Sequence, residues 1–291
     1  AGHTIYHEGK KFVTHHIPAG VFYGIESIIG PGCVIDPEQF FKEIEELEEA
    51  GIAASTLVSI AKNAHVITSS HKDEDSKDTK IGTTKRGNGP AYRDKYNRSG
   101  VRAEDTPCLK EYIIDIYEEL YSKDGVEILF EGAQGFGLDI DHGDYPYVTS
   151  SHCTSAAALL SGVPPQAIRK VWGVAKIYET YVGAKTFQPE GDVFNAIQLI
   201  GEEFGATTGR KRQCNWTNLD TLLKAVRMNG VTDLVFNKMD VLREVGEWKF
   251  KNKDKLLNFQ DESQVKSWIT SFFSNSPTVS NVYFSGNKDR I

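Results

Sequence analysis

"LVFNKMD", residues 234–240, decides how the chain is read. An apolar run that suits a pleated, buried strand ends at Asn237 and gives way to Asn-Lys-x-Asp. That pattern fits a guanine reader. Asp240 can accept hydrogen bonds from guanine N1–H and from its 2-amino group while the stem of Lys238 lies along the base. Adenine presents neither donor arrangement. The plain alternative is a strand that ends in a polar loop, and four residues alone do not separate the two.

Working outward, apolar strand-like runs alternate with helical ones. Residues 25–29, 126–130, 171–177, 233–236 and 279–284 read as strands, with 126–130 a buried one. Asp36-Pro37-Glu38-Gln39 supplies an N-cap, a first-turn proline and a capping-box glutamine. Phe40, Phe41, Ile44 and Leu47 then share one helical face, and Gly51 stops the helix. Residues 107–121, 155–160, 219–228 and 264–273 read as further helices, with Gly230 ending the third. "SSHKDEDSKDTK", residues 69–80, is charged and aperiodic and reads as a mobile loop. The alternation predicts an α/β fold, a mostly parallel central sheet flanked by helices; Asn-Lys-x-Asp adds a GTPase-like guanine site, and the length allows one large domain or two modest ones. In such sheets ligands bind at the carboxyl ends of strands.

Composition narrows the function. The formal charge of −7 argues against a general nucleic-acid surface, whereas local basic clusters at 85–102 and 210–212 suit small anions. Cys33, Cys108, Cys153 and Cys214 form no C-x-x-C pair, so a reducing compartment is expected and no zinc site. No apolar run reaches membrane-spanning length and no signal peptide opens the chain, so the expected location is the cytoplasm, with no membrane partner.

Four further stretches carry candidate chemistry. "FGATTGRKR", residues 204–212, combines backbone-permissive glycines with guanidinium forks suited to carboxylates or phosphates. "IGTTKRGNGPAYRDKYNRSG", residues 81–100, has the same character. "FEGAQGFGLDIDHGDYPYVTSS", residues 130–151, offers Gln134 as a donor and acceptor for a base, and Thr149, Ser150 and Ser151 for a phosphate. Its Asp139, Asp141 and His142 lack a clear metal spacing. His3, after a glycine, could donate a proton near neutral pH. Each has a bland reading as a solvated loop or a surface histidine, and no G-x-x-x-x-G-K-[ST] phosphate loop is present.

Taken together and in order, "AGHT", "IGTT-RG-GPAY-DK--R-G", "FEGAQG---DIDHG-YPYVTSS", "GATTGR-R", "NKMD" and the terminal "SGNKDR" resemble the adenylosuccinate synthetase family across the chain. The resemblance implies residues 1–291 as a single domain and a ligase that joins L-aspartate to the purine 6-oxo nucleotide IMP. GTP phosphorylates O6, Mg²⁺ assists, and the aspartate amine displaces phosphate from C6 to give adenylosuccinate. It implies His3 as general acid, acting with Gln134, and Gly2 beside Mg²⁺ through its backbone. Thr84, Gln134 and Thr149 would hold the purine monophosphate, reached by Arg98 from a second copy in a homodimer. Thr207, Thr208 and Arg210 would hold aspartate, and Arg212 would lie between aspartate and GTP. Lys238 and Asp240 would hold guanine, with Ser285 and Gly286 closing over it.

There are departures from the family pattern. Lys85 and Lys185 stand where glycines are usual, Tyr181 replaces an arginine, and Gln213 and Asn215 replace basic and small residues. The family's N-terminal glycine-rich loop, with its catalytic Asp and phosphate-gripping Lys, would precede Ala1. The expectation is that the chain as given lacks it, and that a protein truly without it would not turn over. The short stretch between Arg102 and Val126 and the altered nucleotide pocket favour a viral branch that joins aspartate to dGMP. The retained Asn-Lys-x-Asp favours GTP and the ordinary reaction. A nucleotide-binding module without catalysis is the reading from another class.

Overall fold

Glu8 and Gly9 take positive φ angles of 48° and 76°, which reverses the chain between β1 (His3–His7) and β2 (Lys10–Thr14). Ile5 and Phe12 face each other in this hairpin and pack against the core of the first unit. The computed structural model describes residues 2–206 and 209–287. It divides the chain into two compact units, Ala1–Pro164 and Pro165–Ile291.

In the first unit β3 (Ser27–Ile29), β4 (Val34–Ile35), α1 (Pro37–Glu49), α2 (Ala54–Leu57), β5 (Val58–Ala61) and β6 (His65–Val66) follow the hairpin. Then come α3 (Ser69–Ser76), α4 (Asn88–Asn97), β7 (Ile113–Ile114), α5 (Ile116–Tyr121) and α6 (Ala156–Leu160). The strands pair in parallel as β3-β5-β7 and β4-β6. Phe40, Ile44 and Leu47 of α1 enter the core as their spacing predicts. Asp36 sits at the N-cap position, but its side chain makes no capping bond; it pairs instead with Lys72 at 2.7 Å.

Three expected elements in this unit are corrected. Residues 69–80 do not form a loop throughout, because α3 is capped by Thr68 and His71, each accepting the other's backbone N–H. Its buried side chains are polar. His71 meets Asp94 at 3.0 Å and Asp75 accepts the Gly87 N–H at 2.8 Å, so the buried face showed no apolar period. Residues 107–121 are not one helix. A 3₁₀ turn, Pro107–Tyr112, leads into β7, where the β-branched Ile113 and Ile114 pair with β5 before Asp115 caps α5. Residues 126–130 form no strand. They pair with no strand among the described residues, and Leu129 is 88% exposed.

The second unit contains β8 (Trp172–Lys176), β9 (Tyr178–Tyr181), α7 (Asp192–Ile200), β10 (Gln213–Trp216), α8 (Leu219–Asn229) and β11 (Asp233–Asn237). They are followed by α9 (Met239–Val245), β12 (Trp248–Asn252), β13 (Lys255–Phe259), α10 (Glu262–Ser274) and β14 (Asn281–Phe284). Its central sheet is parallel, ordered β14-β11-β8, with antiparallel pairs β9-β10 and β12-β13 beside it. Leu234, Val235 and Phe236 of β11 are all buried, as a central parallel strand requires. Asn218 caps α8 through two backbone N–H groups, and Gly230 ends it with φ 62°. The α/β architecture of mostly parallel strands flanked by helices is the one expected.

A buried carboxylate organises the end of the hairpin. Glu43, 1% exposed, accepts the N–H groups of His15, His16 and Ile17 at 2.8–3.1 Å and meets His15 Nδ1 at 3.0 Å. Burial alone would raise its pKa, but these bonds hold it down at about 2. Burial pulls His16 from 6.5 down to about 4, and its Nε2 accepts the Asp36 N–H at 3.3 Å, as a neutral ring must. Both pKa values are lower folded than unfolded, so the unfolded chain takes up protons first as pH falls. Stability present at neutral pH is therefore lost from pH 6.5 towards 4 through His16, and below 4.5 through Glu43. Urea midpoints are expected to fall across this range. His16→Gln should shrink the fall between pH 6.5 and 5, where Glu43 does not titrate, and an undiminished slope in that variant would contradict the assignment.

Candidate functional site

The guanine-type loop forms where β11 meets α9. Lys238 takes the left-handed conformation, φ 63°, as the residue before α9, and Asp240 lies exposed in that helix's first turn. The neighbouring strand β14 brings Ser285 to the same end. The Ser285 N–H donates to Phe236 O at 2.8 Å, and its carbonyl accepts the Met239 N–H at 3.1 Å. Gly286 follows so closely that an added Cβ would stand 3.2 Å from Asp240 N. Lys238, Asp240, Ser285 and Gly286 are thus brought together at strand carboxyl ends. The Asn237 Oδ1 is buried with no hydrogen-bond partner among the described residues. It is an unused acceptor inside the motif.

Beside it lies the second anion-type loop, closed at its neck by the Phe204–Lys211 bridge and by Gly205 N–H to Arg210 O at 2.8 Å. Arg210 and Arg212 emerge from this neck; the expected Thr207 and Thr208 lie outside the described residues. Arg212 Nη1 donates to Glu203 Oε2 at 2.8 Å, and Lys176 Nζ reaches both Glu203 oxygens at 2.7 Å. The Tyr178 hydroxyl donates to Glu203 Oε1 at 2.7 Å. Burial alone would raise the Glu203 carboxyl, but Lys176, Tyr178 and Arg212 together hold it below the usual carboxylate range. Lys176 is the register partner of Asn237, and Lys238 Nζ donates to Gly201 O at 3.0 Å, two residues before Glu203. Sequence reading missed Lys176, Tyr178 and Glu203; the available signal was an acid immediately before the glycine-rich basic stretch.

In the first unit the residues converge less completely. His3 opens β1, with Nε2 3.6 Å from Glu131 and Nδ1 buried without a partner among the described residues. Burial lowers its pKa, against the pull of Glu131. The 130–153 loop is braced by Asp139. Its fully buried carboxylate accepts the N–H groups of Asp141 and His142 at 3.0 Å and of Cys153 at 2.6 Å. Gln134, exposed with φ 57°, stands in this loop with Oε1 4.0 Å from Cys153 Sγ. Thr149 is fixed by its N–H to Leu138 O at 2.8 Å.

Thr84 is exposed in the loop that feeds α4. That loop turns at Gly87, where φ is 81° and a Cβ would meet the backbone of His71 and Lys72 at 2.9 Å, so only glycine fits. The first turn of α4 lies against the 130–153 loop: an added Cβ on Gly89 would contact Ser150 Oγ at 3.4 Å. The Thr84 loop therefore leads into a helix whose first turn meets the loop carrying Gln134 and Thr149. Arg98 does not join them. It caps the far end of α4, about 15 Å along the helix, and is exposed. Gly2 is exposed at the chain's start.

Asp139, Asp141 and His152 have ligand atoms within 4.8 Å of one another. Three backbone N–H groups already occupy the Asp139 carboxylate, so the cluster reads as a loop brace. The departures from the family pattern also find places. Lys85 takes φ 58°, the region glycine favours. Gln213 accepts the N–H groups of Phe187 and Gln188 and donates to Lys185 O at 2.7 Å, and Asn215 donates to Phe187 O at 2.9 Å. Lys185 Nζ lies 5.0 Å over the Tyr181 ring. Tyr181, Lys185, Gln213 and Asn215 are thus one interlocked feature of the second unit.

Comparison with known proteins bears on most of the chain. The family model for adenylosuccinate synthetase matches residues 1–107 and 106–258. The chain is 40% identical over 297 residues to the adenylosuccinate synthetase of Chlorobium phaeobacteroides, covering 83% of this chain and 68% of that protein. It is 41% identical over 305 residues to that of Chlorobaculum tepidum, covering 86% and 70%. Among solved structures, the fully ligated adenylosuccinate synthetase of Plasmodium falciparum matches with a TM-score of 0.79 at 30% identity, over 90% of this chain and 75% of that one. The cyanophage S-2L succinoaminodeoxyadenylate synthetase, bound to dGMP and dATP, matches with a TM-score of 0.69 over 94% and 88%. At 20% identity, that likeness is one of fold alone. The chain belongs to the adenylosuccinate synthetase family.

Proposed function

We propose that this chain is a carbon–nitrogen ligase that joins L-aspartate to C6 of IMP, with GTP as phosphoryl donor and adenylosuccinate, GDP and phosphate as products. The observation that carries the reading lies inside the second unit. The guanine-type loop with Lys238 and Asp240 and the basic loop with Arg210 and Arg212 are tied to one another through Lys176 and Glu203.

In this reading Asp240 selects guanine over adenine, and Ser285 and Gly286 close that side. Arg210 and Arg212, with Thr207 and Thr208, take the aspartate carboxylates, and Arg212 also faces GTP. Thr84, Gln134 and Thr149 hold the IMP monophosphate and base. Phosphorylating O6 converts an amide-like oxygen into a good leaving group, which the aspartate amine then displaces. His3, kept neutral by burial, can give a hydrogen bond to O6 from one ring nitrogen while the other accepts. Mg²⁺ favours oxygen donors and keeps phosphate and water ligands; the backbone of Gly2 would supply one donor, and the ion would neutralise charge on the transferring phosphoryl group. Arg98, exposed at the end of α4, would serve the monophosphate of a second copy in a homodimer. The two units would act as one catalytic domain in the cytoplasm, with no nucleic-acid or membrane partner; no described helix is long and apolar enough to cross a membrane.

In the full-length natural protein, phosphate release from GTP is expected to require both L-aspartate and IMP. Release that runs with dGMP but not IMP, or none with any purine monophosphate, would contradict the assignment. Asp240→Asn should weaken GTP use by on the order of 10–100-fold, the size of a lost charge-assisted hydrogen bond. ATP use should be unaffected, and an equal loss with both nucleotides would remove the guanine-reading role.

A further inference from the structure

Glu203 is 1% exposed, yet three side chains converge on its two oxygens. Lys176 bonds both oxygens at 2.7 Å, Tyr178 bonds Oε1 at 2.7 Å, and Arg212 bonds Oε2 at 2.8 Å. Its backbone is engaged as well. The Glu203 carbonyl accepts the Arg212 N–H at 2.9 Å, and the Glu203 N–H donates to Gln198 O at 2.9 Å. Arg212 is therefore gripped twice by one residue, at its main chain and at its guanidinium.

A guanidinium is a rigid planar fork, so anchoring one arm sets its plane and aims the remaining donors. Lys176 alone would neutralise Glu203. The Arg212 charge is in excess of that balance and remains available to an anionic ligand. We propose that Glu203 is a positioning residue: its buried carboxylate holds Arg212 in the orientation that receives the aspartate carboxylate and GTP. This rests on the function proposed above and adds a residue to it. Lys176 and Tyr178 are the braces that keep the carboxylate in place, and Tyr178 is itself fully buried against the turn at Gly201, where a Cβ would stand 2.4 Å from its hydroxyl.

The test is steady-state kinetics on Glu203→Gln and Tyr178→Phe, with aspartate, GTP and IMP varied separately. In Glu203→Gln the KM values for aspartate and GTP should each rise about tenfold, with kcat changed less and the KM for IMP held within about twofold. Tyr178→Phe removes one hydrogen bond and keeps the ring, so the same two KM values should rise about two- to threefold. The role is overturned if all three KM values stay at the parent level, whether or not kcat falls, because a simple loss of folded protein lowers kcat alone. Should Glu203→Gln not fold, Tyr178→Phe decides by the same readouts. Should the parent protein show no aspartate-dependent turnover, the proposed function falls. The positioning role is then read from calorimetric titration with GTP, where a weakening of about tenfold in Glu203→Gln upholds it and unchanged affinity overturns it.

Discussion

A carboxylate taken out of water must be met by charge and hydrogen bonds or take up a proton. At Glu203 that requirement is satisfied by Lys176 of β8, Tyr178 of β9 and Arg212 just before β10. The consequence is geometric. Lys176 closes β8 beside Asn237, and the Gly201 turn takes the Lys238 amine, so the guanine-type loop and the basic loop share one support. Removing the carboxylate would leave two buried or half-buried cations facing each other, which is why the arrangement is expected to be rigid.

The first unit uses the same device with different residues. Asp139 and Glu43 are buried carboxylates satisfied chiefly by backbone N–H groups, and each fixes the path of a loop. Asp139 braces the stretch carrying Gln134 and Thr149; Glu43 fixes the exit of the hairpin that begins at His3. Gly87 lets the Thr84 loop enter α4 against the backbone of His71 and Lys72. The residues proposed to bind ligand are therefore carried on loops whose shape is set by groups with no expected ligand contact of their own.

How much could be read from the sequence follows from this division. Elements with an apolar period were legible: α1 through Phe40, Ile44 and Leu47, α8 through its cap and Gly230, and β11 through its continuous apolar run. The α3 helix was not, because its buried face is His71 and Asp75. Residues 126–130 have the composition of a buried strand, but strand formation needs a neighbour to take the backbone groups, and none of the described strands does so. The site divides likewise. Asn-Lys-x-Asp, the basic loop and the Gln134 loop were visible as motifs. Lys176 and Tyr178 were not, since a buried ion cluster assembled from separated segments has no local pattern, and Glu203 was marked only by its place just before the basic loop.

The central claim is that Arg212 meets its ligand while still bound to Glu203, beside a guanine held by Asp240. A crystal structure with GDP and succinate tests it most directly. The account predicts the guanine edge on Asp240, a succinate carboxylate on Arg212, and the Arg212–Glu203 bond intact. Guanine bound elsewhere, or an Arg212 side chain that reaches succinate only after leaving Glu203, would contradict it.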